Sequence, residues 1–299
     1  MSEKVADNTN LASKKYVKRS QLGEIFYSLS KNIGAMTGLI ILTIMILILI
    51  FSFFFISWEA VTASNVMYRF APPSLRFPFG TDHLGRDLFL RTLYGSRYSL
   101  IIGFATVGSA ATIGVVLGSF AAYYGGKLDD LIMRFSDILQ AIPGILLGMV
   151  IISVLGQSLQ NLIIAVGVNY IPIFTRMTRA SVLTVRNQEF VEAARAIGLS
   201  NLRIIFTQVL TNGLSPIIVQ ITVNLGHAII LSASLSFMGF GVPIPAPEWG
   251  SLIATGREFA RSAPWLMTFP GIFIMLTVLS LNLLGDGLRD ALDPKMKRR

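Results

Sequence analysis

Two groups of residues in this chain could do chemistry, and in both the chemistry is recognition. Glu192-Ala193-Ala194-Arg195-Ala196-Ile197-Gly198 places a carboxylate and three small residues on a helix of about three turns. Gly198 can end that helix in a left-handed conformation without a Cβ clash. Isolated helices below roughly 12 residues are marginal in water, so this one needs a partner to pack against. The second group is Gln220, Asn224 and His227, spaced i, i+4, i+7 on one helix face. A polar stripe in an apolar setting should face a bundle interior, a partner subunit or a watery cavity. Interhelical hydrogen bonding and the lining of a pathway are equally compatible with it.

Bond-making chemistry finds little support. The histidines are His83 and His227, with no H-E-x-x-H and no carboxylate beside either, so neither a zinc site nor a Ser-His site is indicated. Gly126-Lys127 is followed by Leu128 and lacks the preceding glycine of a phosphate-binding loop. With no cysteine there is no disulfide framework, thiolate metal site or cysteine nucleophile. We therefore expect no catalytic residue, no metal and no cofactor on this chain.

The elements that must position these groups are membrane spans. The 299 residues are 53% hydrophobic and 14% charged, with a mean hydropathy of +0.65, too apolar for soluble domains of this length. Charge-free runs cover 32–58, 98–126, 138–175, 204–247 and 262–285. Each exceeds the roughly 20 residues a helix needs to cross the hydrocarbon. The polar string Gly156 to Asn161 divides the third run in two. The expectation is an all-α polytopic bundle with six transmembrane helices near 36–57, 98–122, 138–156, 162–180, 214–236 and 265–285. Val61-Thr62-Ala63 resembles a signal-peptidase site, but the apolar core before it is too long for a signal peptide, so the first span should be retained.

Lys and Arg set the orientation. With the N-terminus inside, the inner segments hold 18 of them and the outer segments 7, which places both termini in the cytoplasm. Residues 1–35 then form an inner tail, 58–97 an outer loop, 98–285 a core of five spans with an inner loop at about 187–211, and 286–299 a second inner tail. Residues 1–20 are polar enough to be disordered. All 16 Asp and Glu residues fall outside the expected spans, unlike the intramembrane acids that ion-driven carriers tend to use. Arg176 and Arg179 sit where they could snorkel into headgroups. Basic loops against an anionic inner leaflet account for the net charge of +9 without nucleic acid.

Several ordered blocks carry a resemblance. The loop with Glu192, Ala193, Ala194 and Gly198 resembles the EAA loop of permease subunits in bacterial ATP-binding-cassette importers. Phe79-Gly80-Thr81-Asp82-His83-Leu84-Gly85-Arg86-Asp87, followed by Tyr94-Gly95-Ser96-Arg97-Tyr98-Ser99-Leu100, is similar to the signature of the dipeptide, oligopeptide and nickel permease family. Leu214 to Ile218, Leu235 to Gly241, Pro245 to Gly250 and Asp286 to Pro294 extend the similarity. The GRD block and the length resemble the C-type permease of a heterodimeric pair. Thr211 departs from the pattern, which usually has proline there, and Pro216 could restrict the same region.

The resemblance implies a non-catalytic bacterial inner-membrane subunit. It would pair with a paralogous permease, two cytoplasmic ATPase subunits that bind ATP and Mg, and an extracytoplasmic binding protein that delivers the substrate. Peptides are the favoured substrate, with nickel, metallophores and oligosaccharides open; a channel or secondary carrier working without ATPases is the reading from another class. Glu192, Ala193, Ala194, Arg195 and Gly198 would couple to the ATPase, Glu192 as its anionic anchor. Gln220, Asn224 and His227 would line the pathway. Gly80, Thr81, Asp82, Gly85, Arg86 and Asp87 form an outer block that either caps and turns the chain or touches the delivering protein.

Overall fold

The computed structural model describes residues 21–292. The expected disorder of 1–20 and the end of the C-terminal tail lie outside the described residues.

The described residues open with α1 (Gln21–Lys31) and turn at Asn32 into the apolar α2 (Ile33–Phe55). Asn32 makes that turn by accepting from the Ala35 amide at 3.1 Å, as an N-cap does. The short α3 (Trp58–Thr62) leads through a loop to α4 (Leu88–Tyr124), then α5 (Gly126–Ala141), α6 (Gly144–Leu155) and α7 (Leu159–Val185). Next comes α8 (Glu189–Ala196), and then a helical stretch of α9 (Asn201–Arg203), a π-helical run Ile204–Val209 and α10 (Leu210–Asn212). The long α11 (Leu214–Leu235) runs on into π-helical Ser236–Phe240 and is followed by α12 (Trp249–Gly256) and α13 (Trp265–Leu292). Among the described residues there is no strand.

Four helical stretches are long and apolar enough to cross a membrane: α2, α4, Leu214–Phe240 and α13. A fifth crossing arises if the bent pair α5 and α6 is counted as one. The helix α7, where 162–180 was expected, is long enough but less apolar. The six-span expectation is therefore met approximately.

Three boundaries are corrected. The expected continuous span 138–156 is broken: α5 and α6 meet at 92° around Ile142 and Pro143. Proline has no N–H to continue a helix and pushes the preceding residue to extended backbone, where Ile142 sits at φ −94, ψ 128. The second span begins at Leu88 instead of 98, because Asp87 caps it by accepting from the Phe89 and Leu90 amides. The last helix runs past 285 to Leu292, so Asp286 and Asp290 are helical residues.

Little hydrophobic force drives helices together in lipid, so close packing of small residues must do so. The dominant seam is α4 against α7. A Cβ on Gly118 would lie 2.3 Å from the Thr175 carbonyl oxygen, and one on Gly114 2.5 Å from Phe174 Cβ. Gly103 meets Ile229 on α11 in the same way, whereas Gly108 has open space. The ends of α2 and α13 are joined by Asn32 Nδ2 donating to Asp290 at 3.2 Å and by Gly287 packed on Ala35.

Candidate functional site

The helix α8 has eight residues, two turns, and its end is built as the sequence suggests. Gly198 stands at φ +84 with its amide bonded to the Arg195 carbonyl at 2.9 Å, and the Leu199 amide bonds Ala194 at 3.2 Å. Those two bonds are a Schellman motif. The amphipathic helix buries Val191 and Ala194 in a cluster with Ala122, Val182, Val185, Ile204 and Val209, from α4, α7 and the π-helical run. Glu189, Glu192, Ala193, Arg195 and Ala196 are exposed, and Ile197 is 78% exposed.

The five expected coupling residues therefore divide. Glu192, Ala193 and Arg195 stand on the open side, and Gly198 ends the helix. Ala194 does not share that face: at 6% exposure it joins Val191 in holding α8 to its own chain. Arg195 places its guanidinium 5.2 Å from the centroid of the Tyr123 ring, whose hydroxyl donates to Asn201 at 2.9 Å.

After a break at 197–200 the chain is helical again from Asn201, and it stays so through Thr211. There the hydroxyl reaches back to the Phe206 carbonyl, 3.3 Å and five residues away, a spacing that fits the widened π turn beneath it. The break before α11 falls at Gly213, whose carbonyl accepts from Ser181 at 2.6 Å. Arg176 and Arg179 do not simply snorkel. Arg179 holds Asp129 through two nitrogens at 2.6 Å each, and Arg176 pairs with Asp137, so both tie α7 to α5.

The polar stripe on α11 separates in depth. Gln220 lines a cavity of about 740 Å³ between α7, α11 and α13, together with Ser181, Asn212, Asp286 and Arg289. Asn224 is 3% exposed and its Nδ2 has no partner within the described residues. His227 is exposed. Within this chain the three do not join in a hydrogen-bond network.

The Gly80–Asp87 block lies at the opposite end of α4 from α8 and forms a tight, buried turn. Gly80 and Gly85 take φ +74 and +72, and a Cβ on Gly85 would fall 1.8 Å from the Asn65 carbonyl oxygen. Thr81 bridges to Asp87, and its hydroxyl accepts from the Ala71 amide at 2.8 Å. Asp82 accepts from the Leu84 and Arg86 amides and from Arg86 Nε at 2.6 Å. Burial raises the Asp87 carboxyl above its usual range, opposed by the Leu90 and Phe89 amides it caps.

Sequence reasoning missed the residues that lock this end. Glu248 is fully buried and caps α12, accepting from the Gly250 and Ser251 amides at 3.0 and 2.9 Å and from the Ser99 hydroxyl at 3.1 Å. Ser99 in turn accepts from the Trp249 amide, and the Trp249 indole donates to the Thr92 carbonyl at 2.9 Å. Gly95 lets this corner close, since a Cβ there would meet the Pro247 carbonyl oxygen at 2.2 Å. Arg97 donates to Ser52 at 3.0 Å and to the Ile56 carbonyl at 2.8 Å, fixing the end of α2. The available signal was the pairing of two blocks, Tyr94–Leu100 and Pro245–Gly250, which the fold brings face to face.

Comparison with known proteins accounts for this arrangement. Residues 114–298 match the family described as the binding-protein-dependent transport system inner membrane component. The chain belongs to that family. Residues 20–73 also match the N-terminal transmembrane domain of oligopeptide transport permease C. The permease is 48% identical over 282 residues to the dipeptide transport system permease protein DppC of Alkalihalophilus pseudofirmus, covering 94% of this chain and 92% of that one. It is 41% identical to the di/tripeptide transport system permease protein DppC of Pseudomonas aeruginosa, covering 93% of each. Among solved structures, a chain of the MetNI methionine ABC transporter in inward-facing conformations superposes with a TM-score of 0.57 at 19% identity, covering 69% of this chain and 98% of that one. At that identity the likeness shows the fold, that of a type I ABC importer permease. The permease is thus a multi-pass membrane protein of the inner-membrane transport family.

Proposed function

We propose that this permease is one half of the membrane pathway of a peptide importer. The other half is a paralogous permease, the substrate arrives on an extracytoplasmic binding protein, and of two cytoplasmic ATPases one docks on α8 and the other on the partner permease. One observation carries the reading: α8 is held by Val191 and Ala194 on one side while Glu192, Ala193 and Ile197 stand uncovered on the other. A two-turn helix fixed to the bundle on one side and free on the other can pass a push from a docked motor into α4, α7 and the π-helical run it packs on. Glu192 lies in the first turn of α8, where a carboxylate is favoured by the helix dipole and can accept charge-assisted bonds from a partner's Arg. ATP and Mg are bound by the ATPases, and this chain performs no covalent chemistry. Peptide as substrate is supported by what the two relatives are named for. Gln220 and its cavity supply a polar wall on the route towards the α8 end.

This reading requires the α8 end inside the cell and the Gly80–Asp87 end outside, with both termini cytoplasmic. The chain has no cysteine, and Ser64 and Asn187 are both exposed. A membrane-impermeant thiol reagent on intact cells should label Ser64→Cys and spare Asn187→Cys. The reverse pattern overturns the orientation. Co-purification with ATPase subunits separates the importer from a carrier, which would transport alone.

A further inference from the structure

A second, smaller cavity of about 90 Å³ lies beside the Gly80–Asp87 turn, lined by His83, Arg86, Arg91, Ser251 and Thr255 with Leu252 among its apolar walls. Its charges do not balance. Arg86 and Arg91 are 4% and 3% exposed, and they share a single carboxylate, Asp82, itself 4% exposed. Asp82 is already committed to its own turn: one oxygen takes the Leu84 and Arg86 amides and the other takes Arg86 Nε. Arg91 Nε stands 3.6 Å from that second oxygen and has no hydrogen-bond partner.

The next buried acid, Glu248, spends its oxygens on the Gly250 and Ser251 amides and the Ser251 and Ser99 hydroxyls. Two buried guanidiniums against one carboxylate leave an uncompensated positive charge where desolvation makes such a charge costly. The wall also holds an orphan of a different kind. His83 Nδ1 is buried without a partner, and burial lowers the imidazole pKa below its ordinary value, ahead of the opposing effect of Asp82. A neutral imidazole can carry its proton on Nδ1 and donate from there.

We propose that this cavity binds one small monovalent anion of halide size, held by Arg86, Arg91 and His83. The anion supplies the missing negative charge and an acceptor for the unpartnered donors. It ties the Gly80–Asp87 turn to α12, which contributes Ser251 and Thr255 to the opposite wall. The volume leaves room for a small ion: about 90 Å³ takes a chloride with a water, since roughly 10–15 Å³ of such space already holds a water. The site does not depend on the coupling role proposed for α8.

The test is thermal unfolding of the purified, detergent-solubilised transporter in chloride, bromide or gluconate at equal ionic strength. A ligand that binds only the folded state raises the midpoint. The midpoint should be several degrees higher in either halide than in gluconate, and bromide-soaked crystals should show an anomalous peak between Arg86 and His83. Thr255→Leu fills the cavity without changing any charge, so it should fold in all three salts and lose the halide dependence. Equal midpoints in the three salts, an anomalous peak elsewhere only, or halide dependence that survives Thr255→Leu would each overturn the proposal.

Discussion

Tryptophan at Ala193 should cut substrate uptake and substrate-stimulated ATP hydrolysis by roughly tenfold to a hundredfold in proteoliposomes, while the permease keeps its wild-type thermal midpoint. Overfilling a packed contact costs about 1–3 kcal/mol, and Ala193 lies on the face that nothing in this chain covers. Tryptophan at Ala194 should also abolish uptake, but by another route. That residue is 6% exposed among Val182, Val185 and Ile204, so the larger ring should dislodge α8 and lower the midpoint. The contrast between the neighbours is the informative part. Should Ala193→Trp retain wild-type docking, hydrolysis and uptake, the open face of α8 is not a docking face.

The second large effect is expected far from α8. Glu248→Ala removes the cap of α12 and leaves the Gly250 and Ser251 amides and the Ser99 hydroxyl without their acceptor in a fully buried corner. The lost cap, which covers the two amides, costs about 1 kcal/mol, and the stranded Ser99 hydroxyl about 1–3 kcal/mol. The sum points to roughly 2–4 kcal/mol, enough to reduce the amount of folded protein in the membrane. Glu248→Gln keeps one accepting oxygen and should fall between the two. Detergent-extracted yield and the unfolding midpoint are the readouts. A Glu248→Ala protein as abundant and as stable as wild type would show that the corner is not held by this carboxylate.

Much of the fold was legible in the sequence because lipid imposes a coarse rule. Charge-free runs longer than 20 residues located α2, α4, α11 and α13 to within several residues, the start of α4 and the end of α13 apart. The same rule failed for 126–155. It registers charges and is blind to amphipathic helices, so α5, with Asp129, Asp130, Arg134 and Asp137 along it, was read as loop plus span. Pro143 was visible, but a proline inside a membrane helix does not always break it: Pro172 and Pro270 lie within α7 and α13. What decides is whether neighbours satisfy the freed backbone groups.

The candidate site was legible in kind and less so in facing. Glycine at 198 announced a left-handed cap because few other residues adopt that backbone cheaply, and φ +84 bears this out. Alanine carries no such signal. Ala193 and Ala194 are equally at home on an open or a buried face, and Val191, whose burial orients the helix, lies just outside the 192–198 block. The stripe of Gln220, Asn224 and His227 was found by periodicity, yet periodicity gives angle around a helix and not depth in a bundle. Glu248 escaped for a different reason: its acceptor duties reach Ser99, 149 residues away in sequence.

The central claim is that the open face of α8 is where a motor subunit docks. In this cysteine-free chain, a single Ile197→Cys places a thiol at a position 78% exposed at the end of α8, and a short bifunctional thiol–amine reagent can then be applied to inside-out membrane vesicles. The account predicts a crosslinked product of this permease with an ATPase subunit, absent for Ser64→Cys, with a yield that changes when ATP is added. Transport-competent Ile197→Cys vesicles that give no such product, under conditions where the thiol reacts freely with a small maleimide, would contradict it.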